Sequence, residues 1–156
     1  MTPKEIVELF REKGRTFGCV ESLTGGLFAK SITDVPGSSH VFKGGIVTYT
    51  NETKARLLSI PYSEIDTHGV VSQEIAQMMA NRGQKLMVCD YCISFTGNAG
   101  PDALEGKPVG KVYIAVSAYN QVIVTNYDLS GSREEIREQC ITIGCILLKE
   151  LLLQFN

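Results

Sequence analysis

Three short segments hold the residues that could do covalent chemistry, each combining hydroxyl, amine or amide side chains with turn-forming residues. The first, Glu21-Ser22-Leu23-Thr24-Gly25-Gly26, follows an apolar run and precedes a helical pattern. A serine at such a junction is a candidate nucleophile. The glycines let backbone come close to a ligand, and the free N–H groups opening the next helix favour an anion. The alternative is that Ser22 and Thr24 merely cap that helix. The segment lacks the Gly-Lys-Ser/Thr ending of a Walker loop and the G-x-S-x-G pattern of the α/β-hydrolase elbow, so neither assignment applies.

The second segment is Tyr49-Thr50-Asn51-Glu52-Thr53-Lys54. Asn51 reads as a helix cap, which places Lys54 in the first turn. There the positive end of the helix dipole disfavours an ammonium by ~0.3–1 kcal/mol, and partial burial acts in the same direction. A lysine made neutral in this way is the base a serine hydroxyl needs. The alternatives are a solvated surface lysine and, for Tyr49, a core residue at a strand end. The third segment, Thr96-Gly97-Asn98-Ala99-Gly100-Pro101-Asp102, again ends an apolar run with a hydroxyl and glycines.

Other titratable residues offer less. Arg133 and Arg137 start the last helix four residues apart, where they could face an anionic substrate or pair with Glu134, Glu135 or Glu138. The only histidines are His40 and His68, and His68 has no acidic partner in a suggestive position. A Ser-His-Asp triad is therefore weakly supported and no metal site is expected. Cys89 and Cys92 have C-x-x-C spacing but lead into the β-like run Ile93-Ser94-Phe95, so they read as structural. Five cysteines in all, set among apolar neighbours, suit buried thiols in a reducing compartment.

The elements that must position these segments follow from pattern. Thr2 to Glu5 forms a capping box with Pro3 in the first helical position, and Ile6, Val7, Leu9 and Phe10 make an apolar face that stops at Gly14. Strands are predicted over 16–20, 42–50 and 87–96, and a hairpin over 109–118 and 122–129 turning at 119–121. Helices are predicted over 27–32, 51–58, 72–86 and 133–153, with 34–39, 60–70 and 97–106 as irregular connections. Alternating elements followed by a hairpin predict one α/β domain, a three-layer α/β/α arrangement with a mixed β-sheet over 1–156. In such a sheet the ligand crevice lies beyond the carboxyl ends of strands, where all three segments would sit.

The chain has 156 residues, 44% hydrophobic, with a net charge of −2. That length suits one core, and the mixed charges form no basic stripe, so nucleic acid is not an expected partner. The apolar runs 145–148 and 151–153 are too short to span a bilayer, and the N-terminus lacks the pattern of a signal peptide. No membrane association and a cytoplasmic location are expected.

Taken in order, E-S-L-T-G-G at Glu21 to Gly26, D-V-P-G-S-S at Asp34 to Ser39, V-T-Y-x-N-E-x-K at Val47 to Lys54, H-G-V-V-S at His68 to Ser72, T-G-N-A-G-P-D at Thr96 to Asp102 and K-P-V-G at Lys107 to Gly110 resemble the CinA C-terminal domain family. Its single-domain members include PncC-type nicotinamide-nucleotide amidohydrolases. The resemblance implies Ser22 as nucleophile, Lys54 as general base, Tyr49 and Thr96 as supporting hydrogen-bonders, and Arg137 as a substrate contact. Thr24, Gly25, Gly26, Gly97, Asn98 and Gly100 of the two glycine loops are expected at the substrate too. The implied reaction is hydrolysis of the carboxamide of nicotinamide mononucleotide, needing no cofactor and no metal, in a homodimer. Leu23 and Asn98 depart from the family pattern, as does Ala103-Leu104-Glu105, where a glycine-rich stretch is common. Two alternatives stay open: an amidase for another small amide, and a ligand-binding or interaction module that does no chemistry.

Overall fold

The computed structural model describes residues 1–155; Asn156, the last residue of the predicted domain, lies outside the described residues. Helix α1 (Pro3–Lys13) starts as its sequence dictates, with the Glu5 N–H donating to Thr2 Oγ1 at 3.2 Å and the Thr2 N–H to Glu5 Oε2 at 2.6 Å. It ends at Gly14, whose φ of 61° is the left-handed conformation glycine adopts without strain. Then come β1 (Phe17–Glu21), α2 (Leu27–Thr33), β2 (Phe42–Val47), α3 (Asn51–Leu58), α4 (Tyr62–His68), α5 (Gln73–Met87), β3 (Tyr91–Gly97), β4 (Lys111–Ala118), β5 (Gln121–Asp128) and α6 (Arg133–Phe155).

The strands form one mixed sheet in the order β2-β1-β3-β4-β5. The β1 strand is parallel to both β2 and β3, while β4 runs antiparallel to both its neighbours, β3 and β5. Alternation along the buried strands sorts their side chains between two cores. Phe17 and Cys19 of β1 and Tyr91, Ile93 and Phe95 of β3 pack with Ile6, Val7 and Phe10 of α1, Phe28 and Ile32 of α2, and Ile136, Cys140 and Leu148 of α6. On the other face Val20 and Cys92 pack with Ile75 and Met79 of α5, Leu58 of α3 and Ile65 of α4. Helices thus cover both faces, which is the expected three-layer architecture. Among the described residues no helix is long and apolar enough to cross a membrane.

Several expected boundaries move for identifiable reasons. The connection over 60–70 is not irregular throughout, because it contains α4, whose seven residues bury a single apolar side chain, Ile65, and so show no helical period. The third strand starts at Tyr91 rather than Met87; α5 continues through Met87 and is closed by Val88 at φ 51°, its N–H bonded to Gln84 O. The run Leu86-Met87-Val88-Cys89 fits a helix end and a strand start equally well on composition. The second strand stops at Val47 rather than Thr50, and Thr50, not Asn51, caps α3 by accepting from the Thr53 N–H at 3.2 Å. The hairpin turns on two residues, Tyr119 and Asn120, since Ala118 pairs with Gln121.

The junction that carries Ser22 is held by a buried carboxylate. Glu21, fully buried, accepts from the Phe28 N–H at 2.8 Å and the Ala29 N–H at 3.0 Å, and receives the Cys19 thiol at 3.7 Å. Burial and this carboxylate push the Cys19 thiol well above its ordinary value. Hydrogen bonds to a buried charged group contribute ~1.5–3 kcal/mol each. Glu21→Gln is therefore expected to lower unfolding stability by about 2–3 kcal/mol, read in urea as a lower midpoint with an unchanged slope.

Candidate active site

Ser22 follows the last residue of β1, and its N–H donates to Phe95 O of the adjacent parallel strand β3 at 2.9 Å. This is the point where the chain leaves β1 toward β2 on one side while β3 lies on the other, the position at which open sheets form ligand crevices. The Thr50 cap fixes the start of α3, and the Lys54 N–H closes its first turn on Thr50 O at 3.1 Å. The Lys54 side chain then runs inward. Its Nζ lies 3.0 Å from Ser22 Oγ and 2.8 Å from Thr48 O, and the residue is 1% exposed.

Burial lowers the Lys54 amine to about 8, while the charge of Glu105 pulls in the opposite direction. The direction agrees with the sequence reading, but the leading cause is desolvation rather than the helix dipole. A serine hydroxyl against an amine that gives up its proton around pH 8 can serve as an activated nucleophile: with the amine unprotonated, Ser22 O–H donates to its lone pair.

The first loop differs from expectation in one respect. The N–H groups opening α2 are not free for a ligand, because Glu21 occupies those of Phe28 and Ala29. What the loop leaves unengaged, among the described residues, are the amides of Leu23, Thr24 and Gly26 and the buried Thr24 hydroxyl. Gly25 and Gly26, at φ 60° and 102°, turn the chain back toward α2, and the Gly25 N–H closes the turn on Ser22 O at 3.0 Å. Leu23 O accepts from Arg137 Nε at 2.6 Å, which ties α6 to the loop.

The third loop is largely self-contained. Thr96 Oγ1 donates to Val70 O at 2.7 Å, so its proton is committed to the segment before α5 rather than to Ser22. Gly97 is glycine because β4 crosses it: a Cβ there would stand 2.6 Å from Lys111 O. Asn98 spends both ends of its amide on the loop, donating to Asp102 O at 2.9 Å and accepting from the Gly100 N–H at 2.9 Å. Both ends of the amide are thus held within the loop, while the residue itself faces the cavity that contains Ser22.

Two neighbouring cavities result. One, of about 400 Å³, is lined by Ser22, Lys54, Tyr49, Thr96, Gly97 and Asn98, together with Leu23, Val70, Glu105 and Arg133. The other, of about 640 Å³, is lined by Thr24, Gly25, Gly26 and Arg137, with Lys30, Glu134, Glu138 and again Arg133. The expected residues therefore divide between two spaces that share Arg133. Gly100 lines neither, and its carbonyl accepts from Arg133. Tyr49 is half exposed, and its hydroxyl takes a hydrogen bond from Arg133 Nη2 at 2.7 Å. Of the two readings the sequence left open for Arg133, an anionic ligand or the neighbouring glutamates, the structure gives it neither as partner and sets it in the wall of both cavities.

Glu105 was missed altogether. It accepts from the N–H groups of Val70 at 3.0 Å and Val71 at 2.9 Å, pinning the third loop beside Lys54. The only trace of it in the sequence is its place in a stretch that departs from the family pattern. His68, against expectation, does have acidic partners, Glu64 at 3.1 Å and Glu74 at 3.8 Å, but it lines neither cavity. Cys92 is fully buried and Cys89 hydrogen-bonds to Tyr91 O at 3.1 Å. No group of three or more His, Cys, Asp or Glu side chains gathers as a metal site among the described residues.

Comparison with known proteins identifies the family. The model of the CinA C-terminal domain matches residues 1–152. A protein of Geobacillus sp. (strain WCH70) that carries the competence-damage inducible name is 47% identical over 150 residues, which are 95% of this chain and 36% of that protein. One of Streptococcus thermophilus with the same name is 44% identical over 96% of this chain and 36% of its own length. The chain thus spans about a third of the length of the curated relatives it matches. Among solved structures, the competence/damage inducible protein CihA of Agrobacterium tumefaciens superposes with a TM-score of 0.89 at 32% identity, over 99% of this chain and 93% of that one. A CinA superfamily protein of Klebsiella pneumoniae 700603 superposes with a TM-score of 0.95 at 25% identity, over 97% and 96%. From this match along nearly its whole length, the chain belongs to the CinA C-terminal domain family.

Proposed function

We propose that this chain is an amidohydrolase that converts nicotinamide mononucleotide to nicotinate mononucleotide and ammonia, a step in pyridine nucleotide recycling. The observation that carries the reading is the contact of Lys54 Nζ with Ser22 Oγ at 3.0 Å, with the amine buried and lowered to about 8. Neutral Lys54 takes the Ser22 proton as Oγ attacks the carboxamide carbon. The developing oxyanion is met by two unengaged amides of the Ser22 loop, those of Leu23 and Thr24. Lys54 returns the proton to the leaving nitrogen, ammonia departs, and an ester to Ser22 remains. Water, deprotonated by the same amine, attacks that ester and releases the carboxylate. Tyr49 acts at one remove, by orienting Arg133.

The two cavities suit the two ends of a mononucleotide. The pyridine carboxamide fits the Ser22 cavity, and the neighbouring space offers Lys30, Arg133 and Arg137 to a phosphate. The reading extends to a homodimer acting in the cytoplasm.

Purified protein is expected to release ammonia from nicotinamide mononucleotide, with loss of at least about a thousandfold in both Ser22→Ala and Lys54→Met, each shown to be folded by circular dichroism. No release by the intact folded protein would sink the reading in favour of another small amide or a binding module. The rate should rise through pH 8 and then level, since the working form of Lys54 is the neutral one. Stability carries the same sign. The folded value of about 8 lies below the ordinary 10.5, so between them the unfolded chain binds more protons. Stability gained from Lys54 should therefore rise with pH across that window, and Lys54→Met should lack that rise in urea titrations.

A further inference from the structure

Glu105 is exposed at the rim of the Ser22 cavity, yet its carboxylate is not free to wander. Both oxygens are held, Oε2 by the Val70 N–H at 3.0 Å and Oε1 by the Val71 N–H at 2.9 Å. The approach is close enough to dictate the neighbouring residue: a Cβ built on Gly69 would lie 2.8 Å from Oε2, and Gly69 has φ 73°. Two backbone donors and a glycine that makes room for them fix a negative charge on the wall of the cavity that contains Ser22 and Lys54.

The other charged groups nearby have partners of their own. Lys107 donates to Val71 O, and Arg133 is engaged with Tyr49 and Gly100 O at the junction with the second cavity. His68 and Glu74 pair with each other at 3.8 Å. Lys54 is neutral in the form that accepts the serine proton. Among the described residues Glu105 is thus the one carboxylate lining the Ser22 cavity, which it shares with Lys54 and Arg133, whereas the second cavity sets Lys30, Arg133 and Arg137 among Glu134 and Glu138, with Lys30 paired to Asp34 at 2.6 Å.

We propose that Glu105 is a specificity-determining residue, whose carboxylate favours an amide carried on a positively charged ring over the same amide on a neutral ring. The inference rests on the reading that the Ser22 cavity takes a pyridinium carboxamide. A dihydropyridine has nearly the same shape and the same carboxamide but no ring charge, so the two ligands isolate the electrostatic contribution. For a solvent-facing carboxylate that contribution is screened, and a preference of about fivefold is expected.

The test is calorimetric binding of nicotinamide mononucleotide and its dihydropyridine counterpart to full-length Ser22→Ala protein, with and without Glu105→Gln. Nicotinamide mononucleotide should bind about fivefold tighter, and Glu105→Gln should remove that preference by weakening the cationic ligand alone. Equal weakening of both ligands would mean that Glu105 only clamps the loop, and would overturn the proposal, as would a missing preference or no binding of either. Should Glu105→Gln not fold, salt gives the same answer on the Ser22→Ala protein. The ratio of the two affinities must shrink toward one as ionic strength rises from about 0.05 to 1 M, both ligands carrying the same phosphate. A charge preference without ammonia release by unmodified protein would retain the inference and reject the amidohydrolase reading.

Discussion

A lysine amine buried at 1% exposure is the constraint around which the rest is arranged. A charged ammonium so deep loses several kcal/mol of hydration, and a buried amine without partners would be costly as well. The fold answers with a lowered proton affinity and two oxygens, one from the Thr48 backbone and one from Ser22. Each oxygen requires its own scaffold. Thr48 is kept in place by its N–H to Glu21 O, an extension of the β1–β2 pairing, and Ser22 by its N–H to Phe95 O across to β3. Three parallel strands thus meet at one amine, and the α3 cap delivers it.

Seen from that amine, the loops have distinct duties. The loop after β1 supplies the hydroxyl and a tight turn, and the loop after β3 closes mainly on itself through Asn98. Glu105 and Thr96 then fasten that second loop to the Val70–Val71 segment from two sides, one through backbone donors and one through a backbone acceptor. The cavity wall is therefore a joint between segments far apart in the chain, built from side chains that bind main chain.

Much of this was legible in the sequence because chemistry-bearing residues sat at strand ends, where period and turn composition change together. Ser22, Lys54, Thr96 and Gly97 fell into one cavity as the order of strands and loops required. What escaped were partnerships between residues distant in sequence. Glu21 reads as one more polar residue in a loop, although its carboxylate occupies the helix N-terminus that seemed open. Thr96 points its proton to Val70, an acceptor no spacing reveals. Arg133 could be read as facing an anionic ligand or as pairing with its neighbouring glutamates, whereas the fold turns it to Tyr49 and Gly100. The α4 helix was too short, with too few buried side chains, to leave a period.

The occupation of the α2 N-terminus by Glu21 bears on how this scaffold changes over evolutionary time. Folds that grip an anion with a helix end carry that grip in their main chain, where it cannot be altered without rebuilding a turn. Here the socket is filled from within, and the cations that line the neighbouring cavity are long side chains projecting from α2 and α6. Side chains can be exchanged one at a time while the serine and lysine stay where they are. The side chains lining that cavity and the serine–lysine pair are thereby separable, and a lineage could alter the one set without disturbing the other or passing through a broken core.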